Sequence, residues 1–455
     1  VALSRDEFEL IASLTRSLED SARADKLMSA YYQGEQILDV LGLAVPPDLQ
    51  RFTTIVNWPA LVVDSVAERI TLRGFILPGS DLRDEGLQDG WEANNLDSDQ
   101  TMLWNDKLVY GRGFLAVGSN ADDPEHPLMT VESPRETVCR VDPRTRRVVA
   151  ALKLYLSEDS VQAQSMTPDL LTLYLPDVTV WAELVRGKWV EYDRDPHKLG
   201  RVPVVPFLNR RRTGHWSGES EMKRAISLTD AAARSLTNLQ LAQETHAVPA
   251  RWALGFSRGD FGDQAGNPLP VWQAYFSGIW ASENADGKVG QFSASDLRNF
   301  TETVTFYGEK VAGIYGLPSQ YVGSHKDNPS SAEAIREGKE GLILRAERHM
   351  RADGDSLGRA MALYVRFRDG EWPDGNRITA DWYDPAYPTQ QALAASVVAL
   401  RGAGIVSREG AWDRLGWSEA EKARERDYFD REEADPTIER LTAALSATVP
   451  PNATA

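Results

Sequence analysis

A chain of 455 residues is too long for one simple hydrophobic core, so two to four domains or subregions are expected. Hydrophobic residues make up 42% and charged residues 26%, the balance of a folded soluble protein, and no apolar run approaches the roughly 20 residues of a membrane span. The formal net charge of −17 argues against a generic nucleic-acid-binding surface, because that affinity comes from Lys and Arg neutralising phosphates. On charge alone the simplest reading is a surface that keeps the protein in solution, and weak, non-sticking contact with DNA is also compatible with it.

The single cysteine, Cys139, permits no intrachain disulfide and points to a reducing site of synthesis. It reads as an inert, partly buried thiol. The histidines, His126, His197, His215, His246, His325 and His349, show no metal-ligand spacing. No Walker A, G-x-G-x-x-G or G-x-S-x-G run is present. No catalytic, cofactor-binding or metal residue is assigned. The charged, helix-patterned stretch from Val1 to Asp20 is not a signal peptide.

In chain order, residues 4–39 read as helix, with Leu10, Ile11, Leu14, Leu18, Leu27, Tyr31 and Tyr32 on the apolar side and Gly34 as C-cap. A second helix starts at Asn57-Trp58-Pro59, where proline is tolerated, and runs to Ile70. A strand from Leu72 to Ile76 follows. Residues 88–109 read as one helix burying Trp91, Leu96, Leu103, Trp104 and Leu108. Tyr110-Gly111-Arg112-Gly113-Phe114 then turns into a strand, with Gly111 and Gly113 suited to positive φ.

From Thr130 to Trp189 the pattern is strands: Val131–Arg140, Val148–Leu156, Leu170–Leu175, Val178–Val185 and Lys188–Tyr192. Asp142-Pro143-Arg144-Thr145 is a turn, and Arg144, Arg146 and Arg147 stand either at a solvated hairpin tip, at a subunit contact or near DNA. Gly200-Arg201-Val202-Pro203-Val204-Val205-Pro206-Phe207 is extended, since proline disfavours helix before it.

Long helices dominate the middle. The first, from about Glu219 to Ala247, carries a stripe of Met222, Ile226, Ala232, Ala233, Leu236 and Leu239. An insert at 248–293 holds Trp252, Phe256, Phe261, Trp272, Tyr275, Phe276 and Trp280 among Gly, Pro and Asp, which suits strands and turns. The second helix, Ser295–Tyr315, has Leu297, Phe300, Val304, Tyr307, Val311 and Ile314 at helical spacing. A loop rich in Gly, Ser, Asn and Pro, containing Tyr321, Ser324, His325, Lys326 and Asn328, precedes the third helix. That helix opens on a capping box, Ser330 and Glu333, and runs to Phe367 with Ile335, Leu342, Ile343 and Leu344 packed. Helices at Gln390–Ala403, Ser407–Leu415, Ser418–Phe429 and Thr437–Leu445 close the chain.

The Tyr31-Tyr32-Gln33-Gly34 turn, Tyr110-Gly111-Arg112-Gly113-Phe114, Gly200 to Phe207, Asn328 to Arg336 and the helix–insert–helix–loop–helix order together resemble tailed-bacteriophage portal proteins of the siphophage type. The resemblance implies an α+β portal fold with long stem and wing helices, a β-rich wing region, a small clip insert and a helical C-terminal crown. In its terms, 1–215 is wing, 216–247 the first stem helix, 248–293 clip, 294–316 the second stem helix and 317–331 the tunnel loop. Residues 332–380 are the long wing helix and following strand, 381–445 the crown and 446–455 a flexible tail.

The resemblance also implies a homo-oligomeric ring of about twelve subunits at one capsid vertex, through which double-stranded DNA passes without sequence specificity. Its implied partners are the terminase large subunit, the major capsid and scaffolding proteins and a head–tail adaptor, with no membrane and no cofactor. The protein would be made in host cytoplasm and reside in the virion. It would not be an enzyme. The tunnel-loop residues Tyr321, Ser324, His325, Lys326 and Asn328 would line the DNA channel, and the clip aromatics would dock partners. Two other classes stay open on the residues alone: a hydrolase acting on polysaccharide or nucleic acid, and another virion adaptor protein.

Overall fold

Helix α1 (Arg5–Gln33) begins on a capping box: the Glu7 N–H donates to Ser4 Oγ at 3.3 Å, and the Ser4 N–H donates to the Glu7 carboxylate at 2.7 Å. The computed structural model describes residues 3–38, 54–80, 83–213, 217–247, 251–255, 288–291, 297–323, 332–373, 378–386, 390–417 and 419–433. The helix runs unbroken to Gln33, short of the expected 39, and stops at Gly34, which takes the expected left-handed cap at φ 73°. Ile11, Leu14, Leu18 and Tyr31 are buried as expected, but Leu27 is half exposed. The chain divides into two units, Val1–Pro385 and Ala386–Ala455.

Within the first unit, α2 (Trp58–Ala67) is capped by Asn57 and leads to β1 (Leu72–Ile76), whose bounds match the sequence reading. The single helix expected at 88–109 is two, α3 (Glu85–Ala93) and α4 (Leu96–Tyr110). The break falls at Asn95, which adopts the left-handed φ of 55° that Asn tolerates better than most residues. The Asn94 amide secures it, donating to the Gly90 and Pro127 carbonyls and accepting from the Met129 N–H. All five predicted core residues of this stretch are nonetheless buried.

The strands form separate antiparallel sheets. β2 (Arg112–Gly118) pairs with β3 (Leu128–Glu132) on one side and β9 (Val204–Leu208) on the other. A five-stranded meander takes β4 (Thr137–Val141), β5 (Val148–Tyr155), β6 (Leu170–Tyr174), β7 (Thr179–Val185) and β8 (Lys188–Asp195) in sequence order. The run Val131–Arg140, read as one strand, is divided between β3 and β4 because Ser133-Pro134 lies between them and proline cannot donate to a ladder. A short helix, α5 (Glu158–Gln162), capped by Ser157, was not expected.

The meander buries Leu152, Leu171, Leu173, Val180 and Ala182 against Ile11, Leu14 and Leu18 of α1. Two ion pairs fasten this helix. Near its start Glu7 meets Arg194 of β8 at 3.0 Å, and toward its end Asp25 meets Arg112 of β2 at 2.6 Å. Its last turn is held by Tyr31, which donates to Asp230 at 3.0 Å, and by Tyr32, which donates to Asp64 at 2.8 Å.

The larger core lies where α2, α3, α4, β1 and the three-stranded sheet meet the long helices. After a 3₁₀ turn (Glu221–Arg224), α6 (Ile226–Ala247) packs beside α7 (Arg298–Tyr315). The first long helix therefore starts several residues later than its apolar stripe suggests. β10 (Arg251–Leu254) and β11 (Lys288–Gln291) pair antiparallel between them in sequence. α8 (Ala332–Asp369) is 38 residues, about 57 Å at 1.5 Å per residue. β12 (Thr379–Trp382) returns to pair with β1.

On these helices the stripes hold with local corrections. Met222, Ala232, Ala233, Leu239, Val311 and Leu342 are buried, whereas Ile314 and Leu344 are about half exposed. Tyr315 and Arg345, one position further along, turn inward instead. The second unit contains α9 (Gln390–Gly402), α10 (Arg408–Arg414) and α11 (Glu419–Glu433), and Ser407 caps α10 as expected by accepting from the Gly410 N–H at 3.1 Å. The helix expected at 437–445 lies outside the described residues. No helix among the described residues is long and apolar enough to cross a membrane.

Candidate functional site

The three long helices converge on one buried carboxylate. Glu221 sits in the 3₁₀ turn ahead of α6, its side chain 2% exposed. It accepts from Arg210 Nε at 2.6 Å, Arg210 Nη2 at 2.8 Å and Asn209 Nδ2 at 3.0 Å, and from Arg345 of α8. Its backbone carbonyl accepts from the Tyr315 hydroxyl at 2.7 Å, which brings in the last turn of α7. Arg345 stacks over the Tyr315 ring at 5.0 Å and donates to the Tyr315 carbonyl. Burial opposes the charge on Glu221, but the Arg210 hydrogen bonds and the Arg345 and Arg210 charges hold its carboxyl well below the usual range. Burial and the nearby Glu221 charge push Tyr315 up to about 12.

This knot requires close backbone approach. Gly218 at φ 74° stacks on Gly111, and a Cβ added there would lie 2.0 Å from the Gly111 carbonyl oxygen. Gly111 itself has the expected positive φ, 84°; Gly113 does not, and lies in β2 against Leu103. Arg210, at φ 48°, holds a left-handed conformation rare for its type, and its bidentate pair with Glu221 holds it there.

A second buried pair lies further along α8. Lys107 of α4 donates to both Asp353 oxygens, at 2.7 and 2.6 Å, and its Nζ is 3.1 Å from His349 Nδ1. Lys107 and Asp353 side chains are 1% and 2% exposed. Burial and the Lys107 charge lower His349 to about 3, so its ring is neutral at pH 7 and accepts from the ammonium. The unfolded imidazole titrates near 6.5. Stability from this site is therefore complete above that value and is lost as pH falls toward 3. At pH 5 the loss reaches up to about 2 kcal/mol. His349→Gln, which keeps an acceptor for Lys107, is expected to show a smaller drop in melting temperature between pH 7 and pH 5 than the parent; an equal drop would refute this.

Of the predicted channel residues, Tyr321 lies in a 3₁₀ turn (Ser319–Val322) that follows α7, with 38% of its surface exposed. Ser324, His325, Lys326 and Asn328 lie outside the described residues. So do the Ser330–Glu333 capping contacts. Among the predicted docking aromatics, Trp252 belongs to β10, and Phe256, Phe261, Trp272, Tyr275, Phe276 and Trp280 lie outside the described residues. Cys139 is half-buried in β4, and burial pushes its thiol up, away from reactivity. Among the described residues no group of His, Cys, Asp and Glu is placed to hold a metal.

Sequence reasoning assigned Glu221 no role beyond the opening of the first long helix and Arg345 none beyond the charged side of the third, and did not bring the two together. The missed signal was Glu221 directly before the apolar stripe with Arg210 eleven residues upstream. The hairpin arginines separate as well. Arg146 and Arg147 line a cleft of about 820 Å³ with Arg201, Arg211, Arg212 and Arg359. Arg144 is not among its lining residues.

These features define a scaffold of long helices knotted to antiparallel sheets through buried ion pairs. A family model described as phage portal protein, SPP1 Gp6-like, matches residues 14–436. The portal proteins of Mycobacterium phages D29 and L5 are 36% and 35% identical over 96% of this chain and 93% of their own length. A chain in the virion of a native gene transfer agent particle covers 83% of this chain at 15% identity with a TM-score of 0.43 over 95% of its own length. A chain from the neck of such a particle, computed with C12 symmetry, gives 15% identity and a TM-score of 0.41. The chain belongs to the phage portal proteins of the SPP1 Gp6-like family.

Proposed function

We propose that this chain assembles as a ring of about twelve copies at one capsid vertex, the conduit through which double-stranded DNA enters and leaves the head. Membership of the portal family across residues 14–436 is the observation that carries this reading. The local architecture supports it. α6 and α7 pack as a pair, a β10–β11 ribbon lies between them in sequence, and α8 follows a 3₁₀ turn. In these terms α6 and α7 are stem helices, the ribbon is the base of the clip and the second unit is the crown.

The clip aromatics Trp252, Phe256, Phe261, Trp272, Tyr275, Phe276 and Trp280 dock the terminase large subunit during packaging and a head–tail adaptor afterwards; aromatic residues dominate such hot spots. The major capsid and scaffolding proteins meet the ring's periphery. Tyr321, Ser324, His325, Lys326 and Asn328 face the channel, with one Lys per copy touching phosphates transiently. Catalysis belongs to the motor that docks here, and the ring is a structural component of the virion.

Negative-stain electron microscopy with a native mass on the same sample tests the assembly. Rings with a central hole and a mass near twelve subunits are expected; a compact monomer that cleaves a glycan or nucleic acid would overturn the reading. Deleting residues 319–329 is expected to leave rings intact and impair DNA packaging or retention. Failure of the deletion to form rings would contradict the channel placement.

A further inference from the structure

An acidic chain that closes into a ring brings copies of like net charge together at every contact. At −17 per copy, self-repulsion works against assembly unless the joining patches differ in sign. The cleft of about 820 Å³ provides one such patch. Six arginines line it, Arg146, Arg147, Arg201, Arg211, Arg212 and Arg359, and no Asp or Glu does. In a chain with 67 acidic against 50 basic residues this segregation is a property of the site and not of the composition. Its lining also includes apolar groups: Val202, Val204 and Val205 of the β9 segment and Leu363 of α8. All four are buried.

The opposite patch lies in the same unit. From Asp84 to Asp106 the sequence holds seven acidic residues and no Lys or Arg. Glu85, Asp89, Glu92 and Asp97 on α3 and the start of α4 are exposed. Glu85, Asp89 and Glu92 recur at four- and three-residue spacing and so share one face of α3, and the Glu92 charge reaches Asp97, whose carboxyl burial and that charge raise. The loop carrying Asp122 and Asp123 lies against it, because Asn94 donates to the Pro127 carbonyl and Asn120 to that of His126.

The two patches stand on opposite sides of α8. Arg359 and Leu363 line the cleft. Arg368 donates to the Gly86 carbonyl of α3, and Tyr364 lies against Gly90 of the same helix. Arg359 and Arg368 are nine positions apart, about two and a half turns, which puts them on opposite faces of one helix. A head-to-tail contact needs complementary patches on opposite sides of one copy, and repeating it with the right rotation closes a ring.

We propose that the arginine cleft receives the acidic α3–α4 face of the next copy of this chain, and that this contact sets the direction of assembly. The proposal rests on the ring reading above. Arginine suits the role because its planar fork binds carboxylates bidentately and is weakly hydrated. A duplex fits less well, since a chain of this net charge repels polyphosphate and a cleft with buried apolar walls favours side chains over a phosphate backbone.

The test is native mass and negative-stain imaging of three variants beside the parent. Arg147→Glu with Arg211→Glu is expected to lose rings and run as single chains with an unchanged melting curve. Asp89→Lys with Glu92→Lys reads the same contact from the other side and is expected to do likewise, which keeps the proposal testable should the first pair misfold. All four substitutions in one chain are expected to restore rings. Parent rings are also expected to loosen at high salt. Rings at the parent level in either double variant would overturn the proposal while leaving the ring reading intact. Intact rings with lost duplex retention in the cleft variant would make the cleft a phosphate site and overturn it equally. A parent that never forms rings would overturn the ring reading and this contact with it.

Discussion

Glu221→Ala is expected to cost about 3–5 kcal/mol, the scale on which removing one partner leaves buried charge uncompensated. The substitution strands two guanidiniums. Arg210 loses both its hydrogen bonds to the carboxylate, and Arg345 keeps only the Tyr315 carbonyl and ring. Arg210 also loses what holds its left-handed backbone. Glu221→Gln is expected to lose less, because an amide oxygen still accepts, but each carboxylate oxygen takes two of the four donors, so two of them then face an NH₂ group. Denaturant unfolding measures both; a change within about 0.5 kcal/mol, the usual size of a surface substitution, would show the knot contributes little. Acid acts on the same group. The folded carboxyl titrates below its unfolded value near 4.3, so its contribution is present above that pH and fades as pH falls.

Lys107→Met is the second large effect, again about 3–5 kcal/mol at neutral pH. It leaves Asp353 without its cation in a site where burial already raises the carboxyl. The group responds by taking up a proton. Its folded pKa then lies above the unfolded value, so the stabilising protonated form is favoured at low pH and lost as pH rises. The deficit relative to the parent is therefore expected to shrink between pH 8 and pH 5. Pairing Lys107→Met with Asp353→Leu is expected to recover most of the loss, since an apolar pair of similar volume replaces a buried ion pair at little net cost. A double variant no more stable than the single one would assign the loss to packing instead of charge.

Helices and strands with strong periodicity were legible from the residues. β1, the helical stretch of α1 and the Trp91-to-Leu108 core follow from spacing alone. What spacing does not carry is the conformation of single residues. Asn95 divides one predicted helix into two because its own φ is positive, and periodicity runs through the break without a change of phase. Nor does it carry which charges turn inward. Arg345 lies in a charge-rich helix beside Leu344, and the inward member of the pair is decided by the distant Glu221. Of the expected channel and docking residues, Tyr321 falls in a 3₁₀ turn and Trp252 in β10.

Helix α1 has a mechanical meaning beyond its packing. It is pinned near one end to β8 through Glu7 and Arg194 and near the other to β2 through Asp25 and Arg112. Those anchors are about 27 Å apart along the axis. A hydrogen-bonded helix does not shorten or stretch without breaking its ladder, so it acts as a strut of fixed length between the meander and the three-stranded sheet. Any rearrangement that strains the two sheets against each other is therefore restricted to swinging or twisting about this rod, with their spacing conserved throughout.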